Sequence, residues 1–429
     1  MTRLLRIALI SGLVGATLSA QGLGPGVLLL ARVKAHIRAE LARLPNCSCL
    51  QTIQRQRRPA GGVMRPLDTV RLEVLFSDHK EFFASPGERR FDEDRPSAFT
   101  AGGLIGNGYF ALFLSEVVAE SGPSYEYQGE ETVLGRTLAR YGYRIPANIS
   151  GHTLTLAEGT GTVGIKGRFW ADPATYDIVR ISFEAEDIPP NLPVARYDVS
   201  VDYLRTNLGG VEYFLPNSAD TSMVRFSGEE SRNHTEFTHC RLFSAQSSVS
   251  FGAPDTVTQF GVSSVHTEAR ELLPALPIVV KVQTPVTGKS AVGSVLDGVV
   301  DGDVRSNGKV LIPSGSPVRG RLRRLEWHQE KGGYFIVAME FTEIDAAGTL
   351  YRFFADLVDT ALFPGLHPSL NITTKEAVVP RGGVSAIRTS SEVLTLPETP
   401  GVGSFFVQAA RLEIPAGFRM TWKTRALIP

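Results

Sequence analysis

Apolar residues recur at every second position through long stretches of this chain, and that period restricts it to a fold built from half-buried strands. Val70, Leu72, Val74 and Phe76 alternate with Arg71 and Glu73, and Tyr197, Val199, Val201 and Tyr203 alternate with Asp198, Ser200 and Asp202. Side chains on a strand point alternately to opposite faces, so the pattern predicts an antiparallel sheet with one face on a core and the other in water. Two stretches break the rule. Leu30, Val33, Ile37, Leu41 and Leu44 are spaced by three and four, with Arg32, Lys34, Arg38, Glu40 and Arg43 between them, which predicts one amphipathic helix ended by Pro45. A second helix is expected over Tyr109 to Ala119, where Phe110, Phe113, Leu114 and Val117 share a face behind Gly102, Gly103, Gly106 and Gly108.

The N-terminus sets the solvent. Arg3 and Arg6 precede an apolar run from Ile7 to Ala16 that closes on Leu18-Ser19-Ala20, the layout of a secretory signal over residues 1–20. Export to the periplasm or outer cell envelope is expected. Removing the leader leaves about 400 residues, enough for two cores. Lys plus Arg and Asp plus Glu number 44 each, so no net field draws in nucleic acid. The apolar stretch Val27 to Ala31 runs into Arg32 and Lys34, far short of the ~20 residues a membrane span needs, and the mature chain is expected to have none. Of three cysteines, Cys240 is expected to form a disulfide with Cys47 or Cys49, tying the first strand of the N-terminal half to its last. Cys47, Cys49, His239 and Cys240 lack zinc-site spacing, and no metal or other cofactor is expected.

Strand pairs with turn signals follow: Gly167 to Arg180 around Asp172-Pro173, and a pair meeting at Gly209-Gly210, with Val211 to Leu215 ending at Pro216. The helix before Cys47-Ser48-Cys49-Leu50-Gln51-Thr52, the Phe169-Trp170-x-Asp172-Pro173-x-Thr175 hairpin and Tyr213-Phe214-Leu215-Pro216 together make residues 27–251 resemble the periplasmic lipoprotein-carrier family. The resemblance implies a curved, incomplete β-barrel closed on its concave side by helices, with an acyl chain or other apolar ligand held between sheet and helices. The residues that would line such a site are Val33, Ile37, Leu41, Leu72, Val74, Phe110, Phe113, Phe169, Trp170, Phe183 and Phe214.

Residues 252–277, with Gly252, Pro254, Asp255, Pro274 and Pro277, read as a linker. Beyond it, residues 278–429 show strands with tight-turn signals at Asp301-Gly302, Asn307-Gly308 and Gly332-Gly333, and no helix beyond two turns. Val310-Leu311-Ile312-Pro313-Ser314-Gly315 is echoed by Arg411 to Gly417. Around Gly308-Lys309-Val310-Leu311-Ile312-Pro313-x-Gly315-Ser316, residues 278–424 resemble the C-terminal β-barrel domain of the outer-membrane-core subunit of type IV secretion systems, without residues matching that family's helical antenna. The resemblance implies a barrel scaffold only.

Chemical motifs are sparse. Gly159 to Gly164 has the letters G-x-G-x-x-G, but the next segment reads as a strand, whereas a dinucleotide motif opens a helix. Gly288-Lys289-Ser290 follows Gln283 where a P-loop needs glycine, and neither G-x-S-x-G nor H-E-x-x-H occurs. His234 and His239 are five apart, on opposite faces of a strand. Asp297, Asp301 and Asp303 with Asn307 read as turn residues rather than a calcium loop, Arg319, Arg321 and Arg323 as a solvated strand face, and Asp92 and Asp94 as solvated turn acids. No catalytic residue is assigned. The expectation is a mainly β chain of two domains, a curved antiparallel half-barrel with covering helices over 27–251 and a small β-barrel or sandwich over 278–429. Its activity would be binding of a lipid or lipoprotein acyl chain or of an envelope protein partner; the alternative is a docking component with no ligand cavity.

Overall fold

The computed structural model describes residues 24–88, 91, 96–100, 105–133, 135–243, 269–329, 332–378, 386–396 and 398–426. The leader, Asp92, Asp94, Gly102, Gly103 and residues 252–268 of the expected linker lie outside them. The fold is mainly β, with two ten-stranded sheets and few helices. The helices are α1 (Pro25–Ala42) and α2 (Leu112–Val117). The strands up to residue 242 are β1 (Cys47–Arg58), β2 (Arg65–Ser77), β3 (Lys80–Ala84), β4 (Ser124–Val133), β5 (Arg136–Ile145), β6 (Thr153–Leu156), β7 (Gly159–Thr162), β8 (Gly164–Ala171), β9 (Ile178–Glu186), β10 (Val194–Leu208), β11 (Val211–Arg225) and β12 (Glu230–Leu242).

The first sheet runs β3-β2-β1-β12-β11-β10-β9-β8-β5-β4, antiparallel throughout and curled into a half-barrel. The sequence alternation sets which face is buried: Val70, Leu72, Val74 and Phe76 on β2 and Tyr197, Val199, Val201 and Tyr203 on β10 all enter one core. Cys49 and Cys240 form the disulfide, joining β1 to β12 across a separation of 191 residues, and Cys47 is the free, buried thiol. The glycine letters at 159–164 are not a turn alone: Gly159–Thr162 pairs back on Thr153–Leu156, and a strand follows at Gly164. The outer edge, β4, carries Glu126, Glu130 and Glu131 and an irregularity between Tyr127 and Glu130, devices that blunt a free edge against further strand pairing.

Helix α1 begins with Pro25 in its first turn, where a missing N–H costs nothing, and places Val33 and Ile37, both fully buried, against the sheet. Burying two such side chains contributes roughly 1.5–3 kcal/mol each. Helix α2 is shorter than the apolar spacing predicts. The Glu81 carboxylate accepts the amide N–H groups of Gly108 (2.7 Å) and Phe110 (2.9 Å), and the Tyr203 hydroxyl donates to the Tyr109 carbonyl (3.0 Å), so residues 108–110 are held as a loop. Gly108 has φ +86°, a conformation that costs glycine little.

The second sheet contains Arg270–Glu271, Pro277–Val282, Val295–Val300, Pro317–His328, Tyr334–Ala346, Thr349–Arg352, Ala355–Thr360, Leu366–His367, Val402–Val407 and Arg419–Thr424. Val402–Val407 returns beside Ala355–Thr360, so close that a Cβ on Gly403 would stand 2.7 Å from Leu357, and the strand path curls nearly onto itself. Asn307 (φ +47°) and Gly308 (φ +76°) form the expected tight turn.

The two sheets meet through backbone and charge. Strand β3 covers β2 only from Glu73 to Ser77. Beyond it Val292 takes the free edge: Arg71 N–H donates to its carbonyl (2.9 Å) and its own N–H to Thr69 (2.8 Å). Arg321 does not lie on a solvated face; it donates to the carbonyls of Pro86 (2.9 Å) and Gly293 (3.1 Å) and pairs with Glu88 (3.0 Å). Beneath this seam Arg55 (2% exposed) binds Asp68 (1%) through two charge-assisted bonds of 2.6 and 2.5 Å and lies 3.9 Å from Glu326, which Arg324 (2.8 Å) and His328 (3.1 Å) hold from the second sheet. Burial opposes the Glu326 charge, but the hydrogen bonds from His328 and Arg324 outweigh it and keep the carboxyl at about 2.

Candidate binding site

Ten of the eleven residues expected to line an apolar pocket fall in the apolar core, which is one continuous cluster through both sheets rather than the two cores that the length suggests. Val33, Ile37, Leu72, Val74, Phe110, Phe113, Phe169, Phe183 and Phe214 belong to one core, and Leu41 packs half-buried against it. Trp170 does not join them. It points to the other face of β8, where it packs with Leu138 and Val179 and donates its indole N–H to Glu131 (3.0 Å). The interior is close-packed by aromatic contacts: Phe76 stacks on Phe110 at 5.9 Å, Tyr141 on Phe169 at 5.0 Å, and His152 lies between Phe113 (5.0 Å) and Phe183 (4.7 Å) while pairing with Glu116 (2.6 Å).

The two helices are fastened chiefly at their rims. Arg38 donates twice to the Val118 carbonyl (3.0 and 2.6 Å), Lys34 to Ala119 (2.6 Å) and the Tyr125 hydroxyl to Val117 (2.6 Å), so two cationic donors and one neutral one satisfy the open carbonyls at the C-terminus of α2. On the opposite rim His36 (2.9 Å) and Arg205 (2.7 Å) converge on Asp177 in the turn after β8, and Tyr141 donates to the Gly26 carbonyl (2.7 Å).

A large cavity among the described residues is on the other face. An open groove of about 1020 Å³ crosses eight adjacent strands from β1 to β4. Strand register arranges its side chains in two rows. The first is Gln54, His234, Asp220, Ser200, Ser182, Arg168, Gly142, Glu126; the second is Gln56, Arg232, Ser222, Asp198, Glu184, Lys166, Arg144, Ser124. With strands spaced by ~4.8 Å, the rows run ~34 Å around the curled sheet. Serines and one glycine make the floor, and long charged side chains make the walls. Tyr143, Phe183 and Val199 also border the groove, but their side chains belong to the apolar core, so these strands reach it through their backbone.

Charge in the groove is partly neutralised. Arg196 donates to Asp198 (2.6 Å) and Arg144 to Glu186 (2.5 Å); each guanidinium is held above its ordinary value by that hydrogen bond. His234 meets Asp220 at 2.8 Å. Among the described residues no carboxylate lies within ion-pair distance of Lys166 or Arg168, although the charge of Arg168 is felt by Glu131. His239, expected on the opposite face from His234, has φ +52° and contacts Thr238 at the rim of β12, away from the groove. Among the described residues no group of three His, Cys, Asp or Glu side chains is placed to hold a metal ion, and Asp301 and Asp303 pair with Arg419 and Arg305. No helix among them is long and apolar enough to cross a membrane.

The groove residues were not singled out from the sequence. A usable signal existed: Ser182 and Glu184, Asp198 and Ser200, and Asp220 and Ser222 place small hydroxyls and acids at matching solvent-facing positions of three successive strands.

No known family profile matches the chain, and no curated protein matches it. Among solved structures it is similar to a putative outer membrane lipoprotein-sorting protein domain from Vibrio parahaemolyticus, 12% identical over 52% of this chain and 95% of that one, with a TM-score of 0.28. It is also similar to a DUF1329 family protein from Desulfovibrio piger (15% identity, 52% and 93% coverage, TM-score 0.26). A third is a LolA superfamily protein from Nitrosomonas europaea (9% identity, 50% and 94% coverage, TM-score 0.25). The architecture described above rests on the strand pairing itself and not on these likenesses.

Proposed function

We propose that this chain is an exported envelope protein whose activity is binding, and that the polar groove across β1, β12 to β8, β5 and β4 receives an extended segment of an envelope partner. One observation carries the reading: the apolar face is filled by Phe110, Phe113, Phe169, Phe183 and both helices, while the groove of about 1020 Å³ is open and lined by polar side chains. A cavity of that volume matches the upper end of ordinary ligand sites. On this reading residues 27–251 form the binding unit and residues 278–429 a second unit docked against β2. Placing a photo-crosslinking residue at Ser200, on the groove floor, should yield one covalent adduct in envelope extracts, and the same residue at Arg305, in the separate two-stranded pair of Val304–Ser306 with Lys309–Ile312, should not. Equal labelling from both positions, or none from Ser200, would remove the reading.

A second reading keeps the ligand on the apolar side. Helix α1 is secured by two fully buried apolar side chains and a rim of polar bonds, an attachment that could release to admit an acyl chain among Val33, Ile37, Leu72 and Phe110. Lipid released by denaturing the natively purified protein, at about one chain per molecule by mass spectrometry, is its expected signature. Lipid-free protein would leave the groove reading alone.

A further inference from the structure

We propose that the groove selects an extended peptide whose charges run acid, base, acid at intervals of about three residues. The inference rests on the groove being the binding site and adds what it binds. The register zones the charge along the groove: Arg144, Lys166 and Arg168 on β5 and β8, then Glu184, Asp198 and Asp220 on β9 to β11, then Arg232 on β12. Neighbouring strands lie ~4.8 Å apart, so the middle of the acidic zone on β10 is ~10 Å from β8 and β12 is ~19 Å from it. An extended chain rises ~3.3 Å per residue, so those distances are about three and six residues.

Local pairs modulate the zones without erasing them. Arg196 offsets Asp198, His234 meets Asp220, Glu186 holds Arg144 and Glu230 holds Arg232, which leaves Lys166 and Arg168 as the strongest anion contact and Glu184 as the freest acid. At the β4 end Glu126 faces Gln128 (3.2 Å), closing the cationic zone with an acid. The aromatic residues that border the groove, Tyr125, Tyr143 and Phe183, direct their rings to the apolar core rather than to a sugar ring, and the acids at the centre repel a polyanion such as nucleic acid or an anionic lipid surface. The serine floor supplies donors and acceptors to a peptide backbone without obstructing it.

The test is fluorescence anisotropy on the full-length mature protein with three labelled peptides of serine and glycine. One carries glutamate, lysine and glutamate at the first, fourth and seventh positions, one has the same residues scrambled, and one has the charges reversed. At low salt, where exposed charges are least screened, the matched peptide should bind about ten-fold tighter than either control. Its advantage should vanish in the Lys166→Glu, Arg168→Glu double variant, whose exposed positions leave the core untouched and whose unfolding midpoint should stay that of the wild type. Equal binding of matched and scrambled peptides, an advantage that survives the double variant, or no peptide binding at all would overturn the inference. Groove crosslinking from Ser200 would then decide separately whether the binding reading survives.

Discussion

Replacing Glu326 with glutamine removes one negative charge from a seam where Arg55 is 2% exposed and Arg324 and His328 both donate to that carboxylate. The carboxyl is held at about 2 against an unfolded value of 4.5. Each pKa unit corresponds to ~1.4 kcal/mol, so the carboxylate contributes on the order of 3 kcal/mol at neutral pH. The sign follows from the depressed value. The contribution is complete above the unfolded pKa, falls as pH drops from about 4.5 towards 2, and is gone below the folded value. Urea denaturation followed by tryptophan fluorescence gives the test, because Trp327 sits beside the seam on the second sheet and Trp170 reports on the first. At pH 7 the E326Q protein should be less stable by roughly 3 kcal/mol, and by pH 2.5 the difference from wild type should shrink to under about 1 kcal/mol. The same loss at both pH values would mean that shape rather than charge is what the glutamine disturbs, and a loss below about 1 kcal/mol at pH 7 would mean that the seam is solvated; either result refutes the argument.

Cys47 is buried and its thiol is pushed up to about 12 by desolvation, so iodoacetamide should leave it unmodified in native protein at pH 8 and label it fully in urea; rapid native labelling would contradict the packing around β1. Gly167→Ala should cost more than about 2 kcal/mol, because a Cβ there would stand 2.2 Å from the Ser182 carbonyl and 2.7 Å from the Tyr143 ring, whereas Ser182→Ala on the groove floor should stay within about 0.5 kcal/mol. Comparing the two melting curves checks that the groove face and the core face of these strands are assigned correctly.

What the sequence made legible is what period and turn chemistry control. Alternation on β2 and β10, the tight turn at Asn307-Gly308 and the apolar stripe of α1 follow from local rules, and each is present; the bridge to Cys240 follows from counting cysteines, which leaves Cys47 and Cys49 open until the structure selects Cys49. Trp170 is the instructive exception, since its neighbour Phe169 is a core residue and alternation must then turn Trp170 outward; counting both as lining ignored the period that identified the strand. The length of α2 and the role of Arg321 were beyond reach because they depend on Glu81 and Pro86, partners distant in sequence. The groove was legible only in part, through the hydroxyls and acids repeated on three successive strands. A solvent-facing serine looks the same on a flat sheet and on a curled one, and only the pairing order brings Ser182 beside Ser200 and sets Ser222 beside Asp198 in the next row.

The filled interior and the open groove are two results of one distribution of side-chain volume. On the core face β5, β9 and β10 carry Tyr143, Phe183, Tyr197 and Tyr203, which pack with the two helices, and on the other face the same strands carry Gly142, Ser182 and Ser200. Large residues fill the core side and small ones line the other, so the core packs while the groove stays open. The second sheet then fixes one end of that curl, because Val292 pairs with β2 and the Arg55 and Glu326 cluster lies under the strand that contributes Gln54 and Gln56 to the groove. The seam therefore bears directly on the strand that forms the β1 wall of the groove.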